Sequence, residues 1–129
     1  MHEMSIAVAL LERVLDEAAK GGLRTVTRIS VDVGALQSVE PELLAEALTA
    51  AAHGSAAQGA QLELRIRPAK ALCLACGAHF QPNYRDYACP RCGKAEVQIQ
   101  EGRDLFLLEL SGEAAEAEAG HLDGKGGAL

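Results

Sequence analysis

Tryptophan is absent from this 129-residue chain, and two Tyr and two Phe are its only aromatics. Leu, Val, Ile and Ala must therefore fill the core without large anchors, and a core of that kind gains from a staple such as a structural metal. Basic charge is also scarce. Twelve Lys and Arg stand against eighteen Asp and Glu, for a net charge of −6. That excludes the basic footprint of a nucleic-acid binder. Half of the excess lies in the last 19 residues, where Glu113, Glu116, Glu118 and Asp123 face only Lys125. No apolar run reaches the length of a membrane span. The apolar start, MHEMSIAVALLERVLDEA, carries Glu3, Glu12 and Asp16. It has neither a basic leader segment nor a cleavage site, so it is not expected to be a secretion signal. The expected location is cytoplasmic. Four cysteines in such a chain should be reduced, which favours metal over disulfide.

What is present is periodic. Met4, Val8, Leu11, Leu15 and Ala18 recur at helical spacing over 4–20, and Gly21-Gly22 stop the helix. Residues 25–33 alternate, with Ile29, Val31 and Val33 on one side and Arg28, Ser30 and Asp32 on the other, as in a half-buried strand. A loop from Gly34 to Glu40 leads to Pro41, which suits the first turn of a second helix and biases Glu40 toward an extended, cap-like backbone. Leu43, Leu44, Ala47, Leu48 and Ala51 form the apolar face of that helix, and QLELRIR at 61–67 alternates again, with Leu62, Leu64 and Ile66 inward. Arg28, Asp32, Arg65 and Arg67 read as the solvated faces of strands.

Residues 69–103 hold all four Cys, two of the four Pro and both Tyr, with little apolar periodicity. DLFLLEL at 104–110 is nearly continuous in apolar residues and needs a central place in a sheet. It is expected to return to the first sheet, which makes the cysteine segment an insertion. The expected fold is α+β: two helices packed on a small three-stranded sheet, with an inserted zinc-ribbon domain. The expected division is 1–68 plus 104–111 for the α/β domain and 69–103 for the ribbon. The Gly-, Ala- and Glu-rich stretch 112–129 is expected to be a disordered tail.

The ribbon carries two hooks, Cys73-Leu-Ala-Cys76 and Cys89-Pro-Arg-Cys92, each followed by Gly (Gly77 and Gly93), with twelve residues, Gly77 to Ala88, between them. Two Cys-x-x-Cys hooks at this separation have zinc-ribbon spacing. Gly after the second Cys of each hook permits a left-handed turn, so that backbone N–H groups can point at the thiolates. Four thiolates suit tetrahedral zinc and leave no open catalytic position. Lys70, Arg85, Arg91 and Lys94 are close enough in sequence to offset the thiolate charge. An iron site or a dithiol redox pair is the competing use. His79 reads as a surface histidine of the ribbon.

The second candidate is the amino terminus. His2 is too large a second residue for removal of Met1, so the chain is expected to keep Met1 and a free amine. That amine, a peptide nitrogen and the His2 imidazole can close fused chelate rings around one cation, with Glu3 as a fourth donor. Nitrogen-rich tetragonal sets suit Ni(II) or Cu(II). A first helix of roughly 25 Å followed by a strand of roughly 30 Å brings the chain back to its start if the strand doubles back. The loop 34–40 then lies near His2, and Glu40 can face it. Glu3 and Glu40 would offset the unfavourable dipole of a helix N-terminus toward a cation. An uncommitted His2, a first-turn acid at Glu3 and a helix cap at Glu40 are the plain alternatives.

Met1-His2-Glu3, the Gly34-to-Glu40 loop ending in an acid, and the paired Cys hooks together resemble the hydrogenase-maturation nickel metallochaperones, the HypA/HybF family, over about residues 1–111. The resemblance implies a transferable nickel held by His2 with the Met1 amine, Glu3 and Glu40 assisting, and zinc held by Cys73, Cys76, Cys89 and Cys92. It implies as partners a maturation GTPase of the HypB type and the precursor of the nickel–iron hydrogenase large subunit, with urease served in some members. A homodimer is a further candidate assembly. The tail with His121 departs from the compact family end. The competing function is a zinc-ribbon module that binds protein or nucleic acid, with His2 incidental. No Ser/His/Asp or Cys/His set marks an enzyme.

Overall fold

The structure, a computed structural model, describes residues 2–83, 85–114 and 119–123, the last five through their backbone. Helix α1 (His2–Lys20) leads into β1 (Leu23–Gly34), a short 3-10 turn (Ala35–Gln37), helix α2 (Pro41–Ala52) and β2 (Gln61–Arg67). Strands β3 (Lys70–Cys73), β4 (His79–Phe80) and β5 (Val97–Glu101) follow, then β6 (Leu105–Ala114) and β7 (Ala119–Asp123). The larger sheet has the order β2-β1-β6-β7 and the smaller one β4-β3-β5. This is the expected α+β arrangement, with one strand more in the larger sheet. β1 pairs in parallel with β2, through the α2 crossover, and antiparallel with β6. Among the described residues no helix is long and apolar enough to cross a membrane.

The core lies between the helices and the larger sheet. Leu10 and Val14 of α1, Leu44 and Leu48 of α2, Ile29, Val31 and Val33 of β1, and Leu105, Leu107 and Leu110 of β6 are buried together. Leu107 and Leu110 share the core although they are three residues apart. A register shift between Ser30 and Val31, opposite Glu109 and Leu107, absorbs the odd residue. β6 takes the central position that its apolar run requires, between β1 and β7.

Three local expectations need correction. The buried stripe of α1 is Ala7, Leu10, Val14 and Ala18, whereas Met4 and Val8 are exposed. The helix is apolar around most of its first half, so helical spacing alone admits more than one face. Leu43 and Ile66 are likewise more exposed than expected, each 47%; Ile66 keeps the face of Leu62 and Leu64, opposite Val33, but is left uncovered. Asp32 is not on a solvated face. It is 4% exposed, with Arg65 Nε 3.2 Å from one carboxylate oxygen and Arg67 Nη2 2.9 Å from the other. The parallel register sets Asp32 opposite Arg65, and the Arg67 guanidinium lies 5.5 Å over the Phe106 ring. Burial of this carboxylate is compensated by charge-assisted hydrogen bonds.

The pairing also continues beyond Leu110, where composition suggests a disordered tail. β6 runs to Ala114, and 119–123 pair with it from Ser111↔His121 outward. The rest of that tail, 115–118 and 124–129, lies outside the described residues, as do Met1 and the His121 side chain.

The chain leaving the smaller sheet makes a close backbone contact with the end of β1. A Cβ added to Gly34 would overlap the carbonyl of Gly102, and Gly102 itself, at φ +114°, is pressed against Ala69. Gly34 N–H donates to the Asp104 carbonyl at 2.7 Å, and Leu36 N–H to the Gly102 carbonyl at 2.8 Å. Gly34→Ala should therefore lower folding stability by about 1–3 kcal/mol through overpacking, read as a lower urea midpoint. An unchanged midpoint would mean that this contact is not part of the folded state in solution.

Candidate metal centres

The cysteine hooks are built alike. Cys73 closes β3, and its carbonyl accepts the N–H of Gly77 at 2.8 Å, while the Cys89 carbonyl accepts that of Gly93 at the same distance. Gly77 and Gly93 both sit at φ +79°, the left-handed region in which a side chain is strained. The second half of each turn returns hydrogen bonds in register: Cys73 N–H to the Ala78 carbonyl and Cys89 N–H to the Lys94 carbonyl, each at 2.8 Å. The first Cys of each hook is buried and the second exposed.

These turns aim all four sulfurs at one point. Cys73 Sγ lies 3.6 Å from Cys92 Sγ, and Cys76 Sγ 3.7 Å from Cys89 Sγ. All four fall within 4.8 Å of one another. Four sulfurs each about 2.3 Å from a central zinc ion would stand about 3.8 Å apart along a tetrahedral edge. The spacing thus fits a tetrahedral ion and is far too long for S–S bonds.

The protonation pattern fits a cation as well. The Cys76 N–H, with that of Ala75, holds the Cys73 thiol down at about 7 against the opposing effect of burial. The Cys92 and Arg91 N–H groups likewise lower Cys89. At Cys76 the Ala78 N–H lowers the thiol, but burial and the neighbouring sulfurs push it up to about 11. The crowding of sulfurs around Cys76 thus opposes its deprotonation, and a bound cation would offset that. His79 is exposed on β4, opposite Leu72, and is not part of the cluster.

The start of α1 is arranged differently. His2 is exposed, and its Nε2 lies 2.5 Å from the Gln37 carbonyl oxygen. The Glu40 N–H donates to the Glu3 carboxylate at 3.2 Å. This bond, followed by that of the Glu3 N–H, lowers the Glu3 carboxyl below its ordinary value. The return of β1 along α1 does bring the 34–40 loop to the chain start. Glu40 has the extended backbone that Pro41 demands, but its side chain makes no capping hydrogen bond; its carbonyl accepts from Leu44 N–H at 2.9 Å. Among the described residues only the cysteines gather three or more ligating side chains within 4.8 Å. His2, Glu3 and Glu40 are neighbours rather than a closed side-chain cage. Sequence reasoning missed Gln37 at this site, because its contact with His2 is made by a main-chain carbonyl that no residue pattern marks.

Comparison with known proteins follows the same pattern. A family model described as "HypA: Hydrogenase/urease nickel incorporation, metallochaperone, hypA" matches residues 1–112. The chain is 41% identical over 111 residues to the hydrogenase maturation factor HypA of Chlorobaculum tepidum, covering 86% of this chain and 98% of that one. It is 36% identical over 110 residues to the HypA of Aquifex aeolicus, covering 85% and 96%. The solution structure of the Ni metallochaperone HypA from Helicobacter pylori superposes with a TM-score of 0.63 at 25% identity, over 85% of this chain and 96% of that one.

Because thiolates bind the metal and protons compete for them, the cysteine cluster should bind a divalent ion more tightly as pH rises from below the Cys73 value of about 7 toward the Cys76 value of about 11. Competition with a chromophoric chelator at several pH values reads this directly, and metal addition to the metal-free protein should release protons. A flat profile without proton release would contradict thiolate ligation.

Proposed function

The chain belongs to the HypA family, the nickel metallochaperones of hydrogenase maturation, and from that membership we propose how it divides two metals between two sites. It is a maturation factor and not an enzyme. Nickel is the cargo. His2 is its essential ligand, assisted by the Met1 amine, Glu3 and Glu40. Zinc is the resident ion, held by Cys73, Cys76, Cys89 and Cys92. Residues 1–68 with 104–111 form the nickel domain and 69–103 the zinc ribbon.

The observation that carries the nickel assignment is the placement of His2. It stands exposed at the first turn of α1, beside Glu3 and against the loop that ends in Glu40. Amine, peptide and imidazole nitrogens of one chain end form a chelate without any prior side-chain cage, and such donors suit Ni(II). A site at a chain end can be filled and emptied while the core between helices and sheet stays intact. A recipient can displace its donors one at a time. The cysteine cluster has the opposite character. Its four soft ligands surround the ion and two of them are buried, so zinc stays in place and holds the ribbon's shape as a docking element.

The partners that follow are a maturation GTPase of the HypB type and the precursor of the nickel–iron hydrogenase large subunit, in the cytoplasm. Urease is the second client that the family description allows. A homodimer would present two cargo sites at once.

Nickel titration of the full chain with its native, untagged N-terminus should give a binding event that His2→Ala abolishes or weakens strongly. Equal stoichiometry and affinity in the two proteins would sink the nickel assignment. Cys76→Ser should lose zinc by elemental analysis, and retention of one full equivalent would refute the four-cysteine site.

A further inference from the structure

The contact between His2 and Gln37 carries information about which ring nitrogen meets the metal. A carbonyl oxygen can only accept a hydrogen bond. Its position 2.5 Å from His2 Nε2 therefore requires the proton on Nε2. In the neutral ring the lone pair is then on Nδ1. Nδ1 is also the nitrogen that closes the smaller chelate ring with the His2 peptide nitrogen, whereas Nε2 would need a larger and strained one.

Gln37 itself is held from the far side. Its side-chain amide donates to the Arg103 carbonyl. Its neighbour Leu36 donates to the Gly102 carbonyl at 2.8 Å. Residues 102–104 are the segment through which the chain leaves the smaller sheet and enters β6. The carbonyl that faces His2 is thus suspended between the start of α1 and the exit of the cysteine-bearing segment. Gln37 is half-buried, while His2 is exposed.

We propose that Gln37 is the positioning residue of the nickel site: its main-chain carbonyl holds His2 in the Nε2–H form with Nδ1 turned free for the metal, and its side-chain amide fixes that carbonyl to the 102–104 segment. This rests on the assignment of nickel to His2. An imidazole ligand whose other N–H is held by a carbonyl is oriented in advance and is more basic toward its metal, and loss of such a partner typically costs about 10–100-fold in affinity. Gln37 touches no metal; it acts through His2.

The test is a double-mutant cycle on the full chain with a native N-terminus. Gln37→Met removes the amide at nearly constant volume, and Gln37→Ala serves as a second variant should the first fail to fold. The partner change is Nε2-methylhistidine at position 2, which cannot donate to the carbonyl but keeps Nδ1 free. Ni(II) affinity is measured by chelator competition, and zinc content and thermal unfolding are followed alongside. Each single change should weaken nickel binding, by about tenfold or more, with zinc retained. In the methylated background Gln37→Met should have no further effect, because the bond it supports is already gone. A merely structural role would give the same penalty in both backgrounds, and that result overturns the proposal. So does wild-type affinity in Gln37→Met, or complete loss of nickel on methylation, which would make Nε2 the ligand. His2→Ala binding like wild type would instead remove the nickel assignment beneath it.

Discussion

The antiparallel pairing of β1 with β6 is the constraint from which the rest of the structure hangs. It joins residues more than seventy positions apart in the chain, from Leu23↔Ala114 to Val33↔Leu105. The entropic cost of closing so long a loop is met by burial of Ile29, Val31 and Val33 against Leu105, Leu107 and Leu110. Once Val33 faces Leu105, the residues just beyond each strand have no freedom left. Gly34 must pass Gly102, Leu36 must bond its carbonyl, and Gln37 must lie beside Arg103. The place of the loop beside His2 is thus a consequence of core packing.

The two candidate centres illustrate two ways of meeting the cost of charge. At the hooks, main-chain N–H groups lower Cys73 and Cys89 while crowding raises Cys76. The cluster is short of one positive partner, which a divalent ion would supply. At the chain start His2 and Glu40 are exposed and Glu3 is half-buried, so water can reach them. The first arrangement favours retention and the second exchange, and this contrast follows from burial and ligand type rather than from any difference in net charge.

Legibility of these features in the sequence tracked how local their causes are. The gathering of Cys73, Cys76, Cys89 and Cys92 was readable because each hook sets its own geometry within five residues. β1, β2 and β6 were readable as strands from alternation or a continuous apolar run, although alternation overstated the burial of Ile66 in β2. The buried face of α1 was misread because Ile6, Ala7, Val8, Leu10 and Leu11 surround the helix axis, so that only the neighbouring α2 and sheet decide between faces. Asp32 was misread because its burial depends on Arg65 and Arg67, thirty residues away, and on Phe106, further still. Glu40 was placed correctly by Pro41, yet its side chain does not cap α2. Gln37 could not be found at all, since a main-chain carbonyl has no residue type.

Lys70 and Glu101, the first residue of β3 and the last of β5, are direct cross-strand partners. The two ends of the cysteine-bearing segment are therefore about one strand spacing, 4.7–4.9 Å, apart, although the strands it joins, β2 and β6, lie on opposite sides of β1. Everything between them is topologically a detour. A short hairpin turn would bridge the same gap, and an unrelated insert of any length with adjacent ends would fit it as well. The segment is thus a self-closed excursion from the strand order β2-β1-β6, its two ends held together by backbone pairing and not by the cysteine hooks.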